Sequence, residues 1–287
     1  MPRLALLSDV HANLPALEAV AEDISRQSPD AVYVLGDMIN GCAWPAETLD
    51  RLLSLGWPML IGNHDDAVLQ LDSSRMESRY GDRRFYATLW WTRAHLSARH
   101  LALIESLPET LSLEFENVPP VRLLHGLPGS FFVGFRPDSP KEWALRYLAP
   151  VEEATVAGGH THFPMVRTIG RWQVVNSGSV GAPYDGDGRA SYLLMDGFPG
   201  GWRVEVRRVE FDRKRVDAGY LSSGLAEEGG VLGVMFNRTV LTGLPYVSDF
   251  TWWARQQPPE IAGHHRGLLD LYDAQFGPGH WAFPLPG

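Results

Sequence analysis

His160 and His162 stand two residues apart behind Gly158 and Gly159 and the apolar run from Ala154 to Ala157, and the chain's reactive side chains group around them. Four other short stretches, each behind an apolar run, carry donors of the same kind. They are Asp9 and His11 in Ser8-Asp9-Val10-His11-Ala12-Asn13, Asp37 in Gly36-Asp37-Met38-Ile39-Asn40, Asn63, His64 and Asp65 after Gly62, and His125 in Leu123-Leu124-His125-Gly126. Imidazole, carboxylate and amide oxygen form a borderline-hard donor set, suited to manganese, iron or zinc rather than copper(I) or an iron–sulfur cluster. A lone histidine is more often core than ligand, and His95, His100, His264, His265 and His280 are read that way.

The elements that must position these donors are legible from hydrophobic period. Leu4–Leu7 is a short apolar run compatible with a strand buried on both faces, and polar groups collect at the ends of such strands in α/β sheets. If the chain stays extended one step further, Asp9 and His11 face the same side. Leu14 to Ser25 reads as an amphipathic helix, Ala31 to Leu35 as a second strand, Pro45 to Leu55 as a helix stopped by Gly56, and Pro58 to Ile61 as a third strand. Strand-then-helix units imply parallel pairing with right-handed crossovers.

From Ala67 to Leu107 the strand signal gives way to a helical pattern with Trp90, Trp91 and six arginines, either a cap over the site or a solvated face with its tryptophans in the core. Strands resume at Leu111–Phe115 and Val121–Leu124, Lys141–Leu148 is helical, and Thr155–Ala157 leads into the paired histidines. Met165–Ile169, Trp172–Val175, Ala190–Met195 and Trp202–Val209 follow in succession, implying antiparallel pairing. Two sheets packed face to face with helices outside are expected, parallel in the first half and antiparallel in the second. Beyond Asp212 only Gly267 to Phe276 reads as a helix, before a tail with Pro278, His280, Trp281 and Pro284.

The formal charge of −9 and pI near 5.5 disfavour stable nucleic-acid binding or attraction to anionic membrane, so an anionic ligand must be held locally. Cys42 is the only cysteine, which excludes an intrachain disulfide and a thiolate metal cluster. With no signal-like start and no apolar stretch of about 18 residues, a cytoplasmic protein is expected.

The order of these motifs resembles the calcineurin-like metallophosphoesterase superfamily, and the stretch Asn176-Ser177-Gly178-Ser179-Val180-Gly181 is similar to the NPGSVG of its small bacterial and archaeal phosphoesterases. The resemblance runs from about Pro2 to Asp212. It implies an α/β fold, a four-layer αββα sandwich of two mixed sheets, in one domain with its core at 1–212. A helical cap insertion at about 67–107 and a C-terminal extension at 213–287 would be particular to this chain.

It also implies two divalent ions, manganese first and iron, zinc, nickel or cobalt as alternatives. Asp9, His11 and His162 would hold one, and Asn63, His125 and His160 the other, with Asp37 bridging. The implied reaction is attack of a metal-bridging hydroxide on a phosphate ester, with His64 as general acid to the leaving group. The Ser/Thr phosphatase branch reads GDxxDR where this chain has Asn40 and Gly41, so an amide replaces the carboxylate beside the catalytic histidine and the phosphate-gripping arginine is missing. Asn13, Asn40, Arg93 and Arg136 are candidates for substrate contacts. A phosphodiesterase on a small molecule or nucleotide is expected first. Alternatives are a phosphomonoesterase, such as a protein phosphatase or dinucleoside polyphosphate hydrolase, and a scaffold like the retromer subunit of this fold; a homo-oligomer is open.

Overall fold

The computed structural model describes residues 1–258 and 265–276. Two sheets form the centre. In the first, β1 (Arg3–Leu7) pairs parallel with β2 (Ala31–Val34) and antiparallel with β8 (Ala190–Phe198), which pairs antiparallel with β9 (Gly201–Val209). The second runs in the order β3 (Thr110–Phe115), β4 (Val118–Leu124), β5 (Thr155–Gly158), β7 (Trp172–Asn176) and β6 (Met165–Ile169), with β4, β5 and β7 mutually parallel. Both sheets are therefore mixed. The expected division into a parallel first half and an antiparallel second half does not hold, because β8 and β9 return to the edge of β1.

The period-2 alternation of the strands sorts their side chains into layers. Leu4, Leu6, Val121, Leu123, Ala157, Val175, Leu193 and Met195 meet between the sheets. From the same strands, Ala5, Leu7, Tyr192 and Leu194 face outward onto Ala16, Leu17 and Val20 of α1 (Leu14–Gln27) and onto Leu49 and Leu52 of α2 (Pro45–Leu55). On the opposite outside, Val156, Val174 and Met165 pack against Ala144 and Leu148 of α6 (Lys141–Leu148). The result is the expected four-layer αββα arrangement.

Pro58 to Ile61 is not a strand. It touches β2 through an isolated bridge, Val34 to Met59, with Val34 N donating to Pro58 O and Leu60 N to Val34 O. Pro58 has no N–H, and Ile61 N is bonded instead to Pro108 O, so the ladder stops at once.

Helices α3 (Asn63–Gln70), α4 (Ala87–Ala94) and α5 (Ala98–Glu105) make up most of the segment after the third motif. The C-terminal part is more ordered than its sequence suggests, with α7 (Arg213–Ser222), α8 (Leu225–Glu228), α9 (Gly230–Thr242), α10 (Tyr246–Ala254) and α11 (His265–Phe276). Met235, Phe250, Trp253, Leu268 and Tyr272 from these helices share a core with Phe85 and Tyr86 of the earlier helical segment. The Pro278 to Pro284 tail, with His280, lies outside the described residues, as does His264. Among the described residues no helix is long and apolar enough to cross a membrane.

Candidate metal centre

Each donor motif lies in the turn that leaves a β-strand or, for Asn63, opens α3. Asp9, His11, Asp37, His160 and His162 all have φ between 52° and 67°, the left-handed region that non-glycine residues seldom occupy. Asp9 and His11 are thus not the extended pair expected from sequence. The chain curls back beyond β1, with Asp9 N donating to Gly36 O and His11 N to Asp37 O, and the second motif holds the first in that curl. Strain of this kind persists where surrounding bonds over-determine it. Close approach also needs Gly62 and Gly159, because a Cβ at either would collide with the Asp37 or Asp9 carboxylate.

The donors converge. His162 Nε2 lies 3.1 Å from His11 Nε2 and 3.2 Å from Asp9 Oδ1. His125 Nε2 lies 3.3 Å from Asp37 Oδ2 and 3.1 Å from the Asn63 amide, which is 2.7 Å from His160 Nδ1. Asp37 is within 4.8 Å of His125 and His160 on one side and of His11 and His64 on the other, while Asp9, His11 and His162 form a further group. Two donors each about 2.1 Å from one ion at a right angle are about 3.0 Å apart, close to the spacing seen.

Backbone carbonyls fix the ring tautomers. His11 Nδ1 donates to Asn40 O at 2.8 Å, His125 Nδ1 to Leu35 O at 2.7 Å and His162 Nδ1 to Ala182 O at 2.5 Å. A carbonyl only accepts, so in the neutral ring Nε2 is left as a lone pair turned inward, the state a metal requires. Asp9 Oδ1 is buried without a hydrogen-bond partner. The Asn63 amide oxygen likewise faces only acceptors. A buried knot of acceptors lacking donors fits cations, and the donor set suits divalent ones.

The electrostatics leave two of the rings neutral, while His125 holds a proton that a cation would displace. Burial, with His162 and His64 nearby, pushes His11 down to about 3, and burial beside His125 takes His160 to about 4, so both rings are neutral. Burial would also lower His125, but the Asp37 and Asp9 carboxylates outweigh it and raise that ring to about 9. Burial likewise works to raise Asp37, yet His125 and His64 hold it well below the usual carboxylate range. Asp65, three residues into the same turn, accepts from Met38, Ile39 and Gly62 N–H groups and ties the second motif to the third.

The cluster forms the floor of a cavity of about 550 Å³, lined there by Asp37, Asn63, His64, His160 and His162. His64 sits in this floor with Nδ1 2.6 Å from the Asn40 amide nitrogen, so Asn40 orients His64. Arg136 lines the cavity, ion-paired to Asp138 at 3.0 Å. The other two candidates for substrate contacts are misplaced. Asn13 is fully buried, capping α1 at Ala16 N and donating to Gly181 O, which leaves its side chain no reach toward a substrate. Arg93 is outside the lining, because its neighbour Thr92 is the buried α4 residue at Asn40 and one position further turns about 100° around the helix. His100 is buried, against Asp50 and the start of α5, while His95 is exposed and stacked on Trp91, not core.

Sequence reasoning missed the rest of the wall. Arg79, Phe132 and Tyr184 line it, together with Phe236, Trp252 and Arg255 of the C-terminal helices. Arg79 lies in the arginine-rich run, which reads first as surface, and Tyr184 just behind the glycine-rich Asn176 to Gly181 stretch; the others carry no signal. The Asn176 to Gly181 stretch turns at the site, with Ser179 Oγ and Gly181 N both donating to Asp9 O.

Comparison with known proteins identifies the family and the fold. A family model, the calcineurin-like phosphoesterase superfamily domain, matches residues 3–197. The uncharacterized protein MJ0912 of Methanocaldococcus jannaschii is 29% identical over 232 residues, 74% of this chain and 89% of that protein. A metallophosphoesterase from Sphaerobacter thermophilus superposes with a TM-score of 0.65 at 28% identity, covering 85% of this chain and 99% of its own. Hypothetical protein PH1004 from Pyrococcus horikoshii has the same fold, with a TM-score of 0.71 at 21% identity and the same coverage. The chain belongs to the calcineurin-like phosphoesterase superfamily.

Proposed function

We propose that this member of the superfamily is a metal-dependent phosphoester hydrolase that acts on a phosphodiester of a small molecule or nucleotide. The observation that carries the reading is the placement of His64 in the open floor, beside the donor cluster and held by Asn40. Asp9, His11 and His162 would hold one divalent ion and Asn63, His125 and His160 a second, with Asp37 shared. Such ions supply Lewis acidity toward phosphoryl oxygens and lower the pKa of water.

The chain's own residues do the rest. Asp37 Oδ1 accepts from His64 N at 2.7 Å, which fixes the histidine's backbone relative to the shared carboxylate. The Asn40 amide at Nδ1 fixes the ring and leaves Nε2 for the departing oxygen; as the cationic acid the ring carries a proton on Nδ1 too, which the Asn40 oxygen accepts once that amide is turned over. Burial lowers the His64 pKa, although Asp37 opposes it, so the resting ring is neutral and an anionic substrate beside it favours the protonated acid. An alkoxide leaving group needs that proton, which favours esters of ordinary alcohols; the diester is preferred because Asn40 and Gly41 stand where the phosphatase branch carries an aspartate and a phosphate-gripping arginine.

The test is metal-stripped protein reloaded with manganese and assayed on bis(4-nitrophenyl) phosphate and 4-nitrophenyl phosphate. Metal-dependent turnover favouring the diester is expected. Preference for the monoester would move the assignment to a phosphatase, and two bound ions without turnover of either would count against hydrolysis.

A further inference from the structure

The donors around Asn63 include one that is not a side chain. Asn63 Oδ1 lies 2.7 Å from His160 Nδ1, 3.1 Å from His125 Nε2, and 3.3 Å from both Asp37 Oδ2 and the backbone carbonyl oxygen of Phe131. The imidazole nitrogens can carry a proton to share with that amide oxygen, but the Phe131 carbonyl cannot. Two carbonyl oxygens therefore face each other with no hydrogen between them, and among the described residues no hydrogen bond ends on Phe131 O. Turning the Asn63 amide over would aim its NH2 at Phe131, yet two protons cannot also serve Asp37, His125 and His160. A cation draws all of these atoms together, and two donors at a right angle on one ion are about 3.0 Å apart, near the spacing found.

The segment that carries this carbonyl is gripped at both ends and loose between them. It folds back over Gly126, where a Cβ would lie 2.4 Å from Val133 O and 2.8 Å from Ser130 O. Leu127 and Ser130 close its first turn with two backbone bonds of 2.7 and 3.0 Å. Gly134 then presses on the paired-histidine motif, since a Cβ there would lie 2.6 Å from Thr161 Cγ2 and 3.1 Å from His160 Cδ2. From Phe131 to Phe135 no backbone–backbone hydrogen bond is made among the described residues. Phe132 and Val133, in the middle, are exposed and line the cavity. A segment with so few backbone bonds opens easily unless something fastens it.

Resting on the reading of the floor as a two-ion centre, we infer that the Phe131 carbonyl is a further ligand of the ion held by Asn63, His125 and His160. That ion then fastens the 126–134 loop, so the wall formed by Phe132 and Val133 is in place only when the ion is bound.

The experiment is electron–nuclear double resonance on the full chain loaded with manganese and prepared with phenylalanine labelled with carbon-13 at the carbonyl. An isotropic carbon coupling needs electron spin delivered through a bond to the ion, and ligating histidine nitrogens couple in the same spectrum. The wild type is expected to show the carbon coupling. Phe131→Leu, which keeps the carbonyl but removes the label, should lose it and retain the nitrogen couplings. Nitrogen couplings without a carbon coupling, or a carbon coupling that survives in Phe131→Leu, overturn the inference and leave the metal centre standing. Absence of both overturns the inference together with the two-ion reading. The fastening of the loop is read by chymotrypsin, which cuts after exposed aromatic residues: cleavage after Phe131 or Phe132 should be about tenfold slower in manganese than in chelator, because nicking follows the open population. Equal rates would overturn the coupling of loop to ion.

Discussion

Phe236 of α9 packs its ring 5.4 Å from the ring of His11 and 5.9 Å from that of His64, so a residue from the C-terminal helices supports the His11 and His64 side of the candidate site. The same ring explains Gly41. That glycine has φ of 133°, and a Cβ there would lie 2.7 Å from Phe236 Cδ1. Where the phosphatase branch carries an arginine, this chain has filled the space with an aromatic ring from far along the sequence. Phe236→Ala should therefore cost about 3 to 5 kcal/mol in denaturant unfolding and loosen both histidines. A loss below about 1 kcal/mol would mean that the helices rest on the centre without supporting it.

Metal should be a folding ligand as well as a cofactor. With free manganese at about 100 times its Kd, unfolding should cost about 2.7 kcal/mol more than in chelator for each ion bound, about 5.4 kcal/mol for two. Asp37→Asn, which removes the shared carboxylate, should abolish most of that difference. Thermal scans with and without manganese read it directly, and an undiminished shift in the variant would show that Asp37 is not a ligand.

Much of this site was legible because its donors are local features. Each motif follows an apolar run whose residues also form the cores on either side of a strand, so period and chemistry point to the same positions. Helix α2 was equally plain, since Pro45 opens it and Gly56, at φ of 66°, closes it. What sequence concealed depends on distant partners. The left-handed turns at Asp9 and His11 are imposed by Gly36 and Asp37, and nothing in the first motif announces them. Asn13 carries a side chain suited to substrate, but Gly181, far along the chain, consumes it. Helix α9 buries Val231, Leu232, Met235, Phe236 and Val240 against several neighbours, so it lacks the polar face by which a surface helix is recognised.

A buried polar cluster away from the site predicts a pH-dependent stability. Asp23 of α1 accepts from Tyr192 Oη on β8 at 2.7 Å and from Arg207 on β9 at 3.2 Å, which pins the helix to the first sheet. Burial pushes the Asp23 carboxyl up, but Tyr192 and Arg207 lower it further, so its folded pKa lies below the ordinary value of 3.8. The stabilisation is thus fully present above about pH 4 and lost as pH falls through the folded pKa. Asp23→Asn should cost about 1 to 2 kcal/mol at pH 7, and the gap to wild type should narrow below pH 4. Denaturant titrations at pH 7 and pH 3 measure it; an equal gap at both would show that the charge is not what matters.

The role given to His64 is open to a sharper test than loss of activity, because a general acid matters only as much as its leaving group needs a proton. 4-Nitrophenolate leaves readily as an anion, whereas an alkoxide does not. His64→Ala should therefore lower kcat by about 100-fold or more on a methyl or nucleoside alkoxide diester, and by less than about tenfold on bis(4-nitrophenyl) phosphate. Asn40→Ala, which frees the ring at Nδ1, should show the same leaving-group dependence at smaller size, since the acid remains and only its orientation is lost. If His64→Ala lowers both substrates equally and also releases manganese, His64 acts as a ligand. Its membership of a group with His11 and Asp37 within 4.8 Å makes that the competing role the two substrates distinguish.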